Sequence, residues 1–148
     1  MNRDAFLRTT RQFFHERIPI TREMGVEVES FDDSGLVLTA PLAANHNHLG
    51  TAFGGSLAAL ATLAGYGMVW LMLEDQQAHV VIKESQLRYL RPVTATLRAV
   101  CTPPGDHEWE RFIATFRQRG KARIRLEVVI FEAGQPCVEF NGTFVALR

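Results

Sequence analysis

From Leu49 to Leu73 the chain carries no charged side chain, and no other stretch constrains its fold as strongly. The segment leading into and opening this run, Asn45-His46-Asn47-His48-Leu49-Gly50-Thr51-Ala52-Phe53-Gly54-Gly55, is rich in Asn, His and Gly and reads as an irregular loop. From Ser56 to Leu73 strong helix formers dominate, with no proline, so a helix is predicted there. Apolar residues fall on every face of it, the pattern of a helix buried all round. About 20 apolar residues also suffice to cross a bilayer. Here, however, Glu74-Asp75 follow directly and no basic cluster anchors either end. The expectation is a core helix and no membrane. A glycine-rich loop entering a helix leaves backbone N–H groups free, and these suit an anion or a polarised carbonyl oxygen. Capping of the helix by Ser56 or Thr51 is the plainer alternative.

The length, 148 residues, fits one domain spanning 1–148 with a real core. With 47% hydrophobic and 22% charged residues, disorder is excluded as a class. Cys101 and Cys137 lack metal-ligand spacing and suit a reduced, cytoplasmic protein better than a disulfide scaffold. The start, Met1-Asn2-Arg3-Asp4, has no apolar signal stretch. His15, His79 and His107 show no partnering pattern, so neither a metal site nor a cofactor is expected. Formal net charge is zero but unevenly spread. Glu23, Glu27, Glu29, Asp32 and Asp33 make the early part acidic, whereas Arg111 to Arg125 reads as a basic hairpin. A neutral chain without a stacking-aromatic motif argues against nucleic acid. A phosphorylated small ligand or an acidic carrier protein fits a local basic patch, and a solvated sheet face fits it equally.

Taken in order, Asp4 to Arg17 has the periodicity of an amphipathic helix that Ile18-Pro19-Ile20 breaks. Met24 to Phe31 and Leu36 to Ala40 read as strands joined by an Asp/Ser/Gly turn. After the long helix, His79 to Leu90 and the alternating stretch up to Cys101 are predicted strands. Phe112, Ala114 and Phe116 alternate with Arg111, Ile113, Thr115 and Arg117 and predict another strand, turning at Gly120-Lys121 into Ala122 to Ile130. A last strand runs from Cys137 to Leu147. The architecture expected is α+β, with about six antiparallel strands curling round one long central helix and leaving edges that pair between subunits.

That order, together with Asn47-His48-Leu49-Gly50-Thr51-Ala52-Phe53-Gly54-Gly55-Ser56 at the helix start, resembles a hot-dog thioesterase. More narrowly it is similar to the family that forms the C-terminal half of YiiD-type acetyltransferases. Asn45 to Trp70, the end of the strand at Arg88 to Val93, and the closing segment Gly120 to Val145 carry the resemblance. It implies hydrolysis of an acyl thioester of coenzyme A or acyl carrier protein, in a site between the subunits of a homodimer or higher oligomer. The broader pattern is Asn-x-x-Gly-x-x-His-Gly-Gly, with an acid seven residues past the last Gly. Asn47, Gly50, Gly54 and Gly55 match it, Phe53 replaces the His, and Thr62 stands at the acid position.

Thioester hydrolysis needs a donor for the developing oxyanion, a positioned water and a base. The amides of Gly54 and Gly55 are the candidate donors, and the lack of Cβ allows close approach. Thr62, seven residues beyond Gly55, shares its helix face and is a candidate to hold water. A threonine hydroxyl is too weak a base, so candidates for that role are His46, His48 and Glu84. Glu84 alternates with Ile82 and Gln86, and burial on that face raises a carboxylate's pKa; an ion pair with Arg88 is the competing reading. His48 and Phe53 are assigned to substrate contact, and Arg91, Arg119 and Lys121 to its phosphates. A non-catalytic acyl-CoA binding module is the alternative function. A hydratase is weaker, for want of a His-plus-carboxylate signature.

Overall fold

The computed structural model describes residues 2–148. Helix α1 (Arg3–Arg17) begins at Asn2, whose side chain accepts from the Ala5 amide, and a short α2 (Ile20–Glu23) follows. Strands β1 (Glu27–Asp32) and β2 (Gly35–Ala40) form a hairpin; a single 3-10 turn, Leu42–Ala44, then leads into the loop. The long helix α3 spans Gly54–Leu73, two residues earlier than the composition suggested. Beyond it come β3 (His79–Tyr89), β4 (Leu97–Cys101), α4 (Asp106–Arg119), β5 (Lys121–Glu132) and β6 (Gln135–Leu147). The six strands form one antiparallel sheet in the order β1-β2-β4-β5-β6-β3. This is the hot-dog arrangement: the sheet wraps α3, which touches β2 to β6.

Helix α3 is long and apolar enough to cross a membrane, yet its side chains are spent on the core. Gly65 and Gly67 explain how it sits so close to the sheet. A Cβ on Gly65 would lie 2.4 Å from the fully buried Phe144 ring, and one on Gly67 would lie 2.9 Å from Phe14 and Leu36. The inward face of β5, Ala122 to Ile130 in steps of two, is buried, while Arg123, Arg125 and Glu127 are exposed.

Residues 111–117 are not a strand. They belong to α4, which packs Phe112 and Phe116 into the core, so the basic hairpin does not form. Asp106 and Glu108 in the first turn and Arg117 and Arg119 in the last complement the helix dipole. Gly120, at φ +69°, closes the helix by donating to the Phe116 carbonyl at 2.7 Å.

Two carboxylates tie down loops near chain turns. Asp75 accepts from Arg148 at 2.8 Å and from the Gln77 amide, and both bonds hold its carboxyl below the usual range. Glu132 accepts from the Thr94 hydroxyl, then from the Thr94 and Ala95 amides, with the same effect. A carboxylate lowered by folding stabilises the protein above its unfolded value, and that help disappears as pH falls through the folded value. The Asp75→Asn, Glu132→Gln double variant is therefore expected to lose Tm at neutral pH and to show a shallower decline below about pH 4.5. Melts between neutral pH and pH 3 check this; parallel acid limbs would show that other groups control it.

Candidate active site

At the start of α3 the backbone donors are open. Phe53 occupies the N-cap position and its side chain makes no cap bond. The first amide to find an acceptor is Leu57, which bonds the Phe53 carbonyl at 3.1 Å. Among the described residues nothing accepts from the amides of Gly54, Gly55 or Ser56. Neither Ser56 nor Thr51 caps the helix; the Thr51 hydroxyl instead accepts from Asn47. Three unbonded N–H groups at the positive end of a 20-residue helix form an anion-binding locus.

The loop is built to hold that end in place. The Asn47 Oδ1 accepts from the Leu49 and Thr51 amides at 2.9 and 3.1 Å, and its Nδ2 donates to Thr51 at 2.8 Å. Its whole side chain is thus committed to loop shape. Asn45, not singled out among the candidate residues, is the deeper anchor. It is 2% exposed and its Nδ2 donates to the carbonyls of Met24 and Pro41, while the Phe53 amide bonds its carbonyl. The Ala52 amide reaches the Val93 carbonyl, fastening the loop to the chain beyond β3.

His46 and His48 are both exposed on this loop. His46 bridges Ala52, two residues before Gly54, and its Nδ1 lies 2.8 Å from the Asn47 carbonyl. A carbonyl can only accept, so Nδ1 carries the proton and Nε2 of a neutral ring presents a free lone pair. His48 makes no side-chain bond among the described residues. The Phe53 ring is exposed and lies over Gly55, where a Cβ would come within 2.5 Å of it.

Glu84 is not buried, and it does not share a face with Ile82. A bulge between them shifts the register: Ile82 pairs with Phe144, but Glu84 pairs with Thr143. Ile82 therefore faces α3, whereas Glu84 lies on the outer face beside Thr143 and Arg125, exposed to solvent. Arg88 approaches Glu139 at 3.9 Å instead of Glu84. Nor does one chain group the expected cations. Tyr89, just before Arg91, pairs with Val138, while Lys121 pairs with Leu147. Nine residues of β6 separate those positions, about 30 Å.

Thr62 sits where its spacing placed it, on the face of α3 shared by Gly55 and Ala59. Its hydroxyl donates to the Ala58 carbonyl at 2.8 Å, so toward solvent its oxygen can only accept. Ala59 and Thr62 open a groove of about 1090 Å³ running between α3, the α1–α2 segment and the start of β3. Farther along the same face Tyr66 and Trp70 line it. Burial pushes the Tyr66 phenol up from its usual value against a smaller opposing pull from Arg17, which keeps that wall neutral. The groove's far wall is contributed by α1, whose helical spacing the sequence carries, and by α2, which the sequence does not mark.

Among solved structures, a protein of unknown function from Chlorobaculum tepidum is 38% identical, with TM-score 0.92 over 99% of this chain and 96% of that one. The putative thioesterase from Shewanella oneidensis is 36% identical, with TM-score 0.86 over 98% and 99%. A probable thioesterase from Pseudomonas aeruginosa follows at 25%, with TM-score 0.81 over 95% and 94%. Residues 7–148 match the sequence family described as putative thioesterase (yiiD_Cterm), and with this coverage the chain belongs to that family.

Proposed function

We propose that the protein hydrolyses acyl thioesters of coenzyme A or acyl carrier protein. One observation carries this: the free amides of Gly54, Gly55 and Ser56 head the helix face that lines the apolar groove. A thioester carbonyl seated on those amides has its acyl chain in the groove. Water attacks the carbonyl carbon, and the negative oxygen is held by the amides, each worth about 3 kcal/mol in the transition state. The Nε2 of His46 takes the proton from water and returns it to the sulfur as the C–S bond breaks. Thr62, able only to accept on its open side, holds the water by one hydrogen and leaves its lone pair free. Cys101 and Cys137 are free, buried thiols, which fits work in a reducing cytoplasm. Thiol release from a series of acyl-CoA esters tests the reading. Tight binding without release would instead make the chain an acyl-CoA binding module, the reading favoured by the lack of a carboxylate at Thr62.

The working unit is a homodimer. Among the described residues one side of β3 has no strand partner along 11 residues, and Val81, Ile82 and Tyr89 are exposed on it. Two identical edges related by a twofold axis pair antiparallel. The Tyr89 end of one subunit then lies against the His79 end of the other, bringing Arg91 toward Arg119 and Lys121 of the second copy, where together they hold the phosphates of the substrate. Light scattering at micromolar concentration is expected to give twice the 16.6 kDa chain mass or a multiple of it. A persistent monomer would remove the two-subunit site.

A further inference from the structure

Two stacked aromatic rings stand in the lining of the groove. Phe13 of α1 stacks on Trp70 of α3, with centroids 4.0 Å apart and an interplanar angle of 12°. Both rings line the groove, Trp70 at the C-terminal end of its α3 wall and Ala59, one turn from Gly55, at the other. Met24, whose carbonyl binds the Asn45 anchor of the helix-start loop, also lines it. Along α3 the lining thus runs from Ala59, one turn past the free amides, to the ring pair. Flat rings in contact leave no room for a chain to pass between them, and both are braced on the core.

Resting on the thioesterase reading, we propose that the Phe13–Trp70 stack is the stop of the acyl channel and sets the longest straight chain the protein accepts. From Ala59 to Trp70 the helix rises about 16 Å, which an extended chain of about a dozen carbons spans. Shorter chains leave apolar wall uncovered, and longer ones must bend or push the rings apart. Selectivity then rises with length up to this limit and falls beyond it. At the stop a chain end meets the two ring faces, with Thr9 and Arg17 one turn to either side of Phe13 on the same wall, so the substrate class is the unbranched, medium-length acyl thioester.

Thiol release from straight-chain esters, butyryl- to stearoyl-CoA, is measured for wild type, Trp70→Ala, Phe13→Ala and Trp70→Phe. Opening the stop in either alanine variant is expected to raise the kcat/KM ratio of long to medium esters by about tenfold or more. Trp70→Phe, which keeps a stacked ring, should stay near wild type. These ratios do not depend on the folded fraction, so lost stability cannot imitate the effect. Unchanged chain-length order in both alanine variants overturns the stop. A second measurement needs no turnover: Trp70 is the sole tryptophan left in Trp109→Phe, and fatty acids of increasing length are titrated against its emission. A response that begins only with chains long enough to reach the ring supports the stop; one independent of length overturns it. A length-dependent response with no ester hydrolysed by the wild type would sink the hydrolase reading alone.

Discussion

Gly55→Val is expected to lower kcat/KM by about two to three orders of magnitude in a protein that still folds. The added Cβ meets the Phe53 ring at 2.5 Å, but that ring is 57% exposed and free to swing into solvent. Gly55 is also absent from the positive-φ residues, so its helical backbone accepts a side chain without strain. What valine cannot avoid is the space in front of the Gly54–Ser56 amides. Its methyl groups keep a thioester oxygen from coming within hydrogen-bond distance, which removes the donors without touching the helix. Gly55→Ala, with a single small group, should fall less. A Tm within about 5 °C of wild type separates this from unfolding. Full activity in Gly55→Val would place the oxyanion elsewhere.

Which parts of this site were legible in the sequence follows from how each is encoded. Helix α3 was visible because apolar side chains on every face of a charge-free run admit little besides a buried helix, and the loop before it because Asn and Gly cluster there. The alternation of β5 fixed which residues face inward. Residues 106–119 misled because Phe112 and Phe116, four apart, satisfy the period of a strand and of a helix alike. The intervening Ala114 reads as apolar, yet it is exposed. Trp109 and Ile113, which extend the helical spacing on both sides of Phe112, carried the missing signal. The bulge in β3 left none: no glycine or proline marks it, and one extra residue is enough to turn Glu84 from the helix face to the outer face. The groove was hidden for another reason, since it exists only where α1 lies against α3, and contacts between distant segments leave no local pattern.

The bulge also bears on the base proposed above, because it turns Glu84 to the outer face. His46→Ala is expected to lower kcat by about 100- to 10,000-fold with modest change in KM, the range of a lost general base. Glu84→Gln should stay within about twofold of wild type, as surface substitutions away from a site do. The sequence offered the carboxylate because burial within a strand raises its pKa toward that of a base working near neutral pH. Geometry withdraws that condition, because Glu84 is exposed on the outer face of the sheet. His46 is exposed as well, and its case rests on position. Its Nδ1 is fixed on the Asn47 carbonyl at 2.8 Å, so the lone pair is on Nε2, and its backbone bridges Ala52 beside the free amides. Thr62→Ala should cost about tenfold or less, since it removes one neutral hydrogen bond of about 1 kcal/mol. Imidazole added to His46→Ala should restore part of the rate, because a small base can enter the vacated space on this exposed loop. Imidazole should do nothing for Glu84→Gln. Near-normal turnover in His46→Ala beside a dead Glu84→Gln would mean that the partner subunit reshapes the β3 edge enough to bring the carboxylate round to the helix.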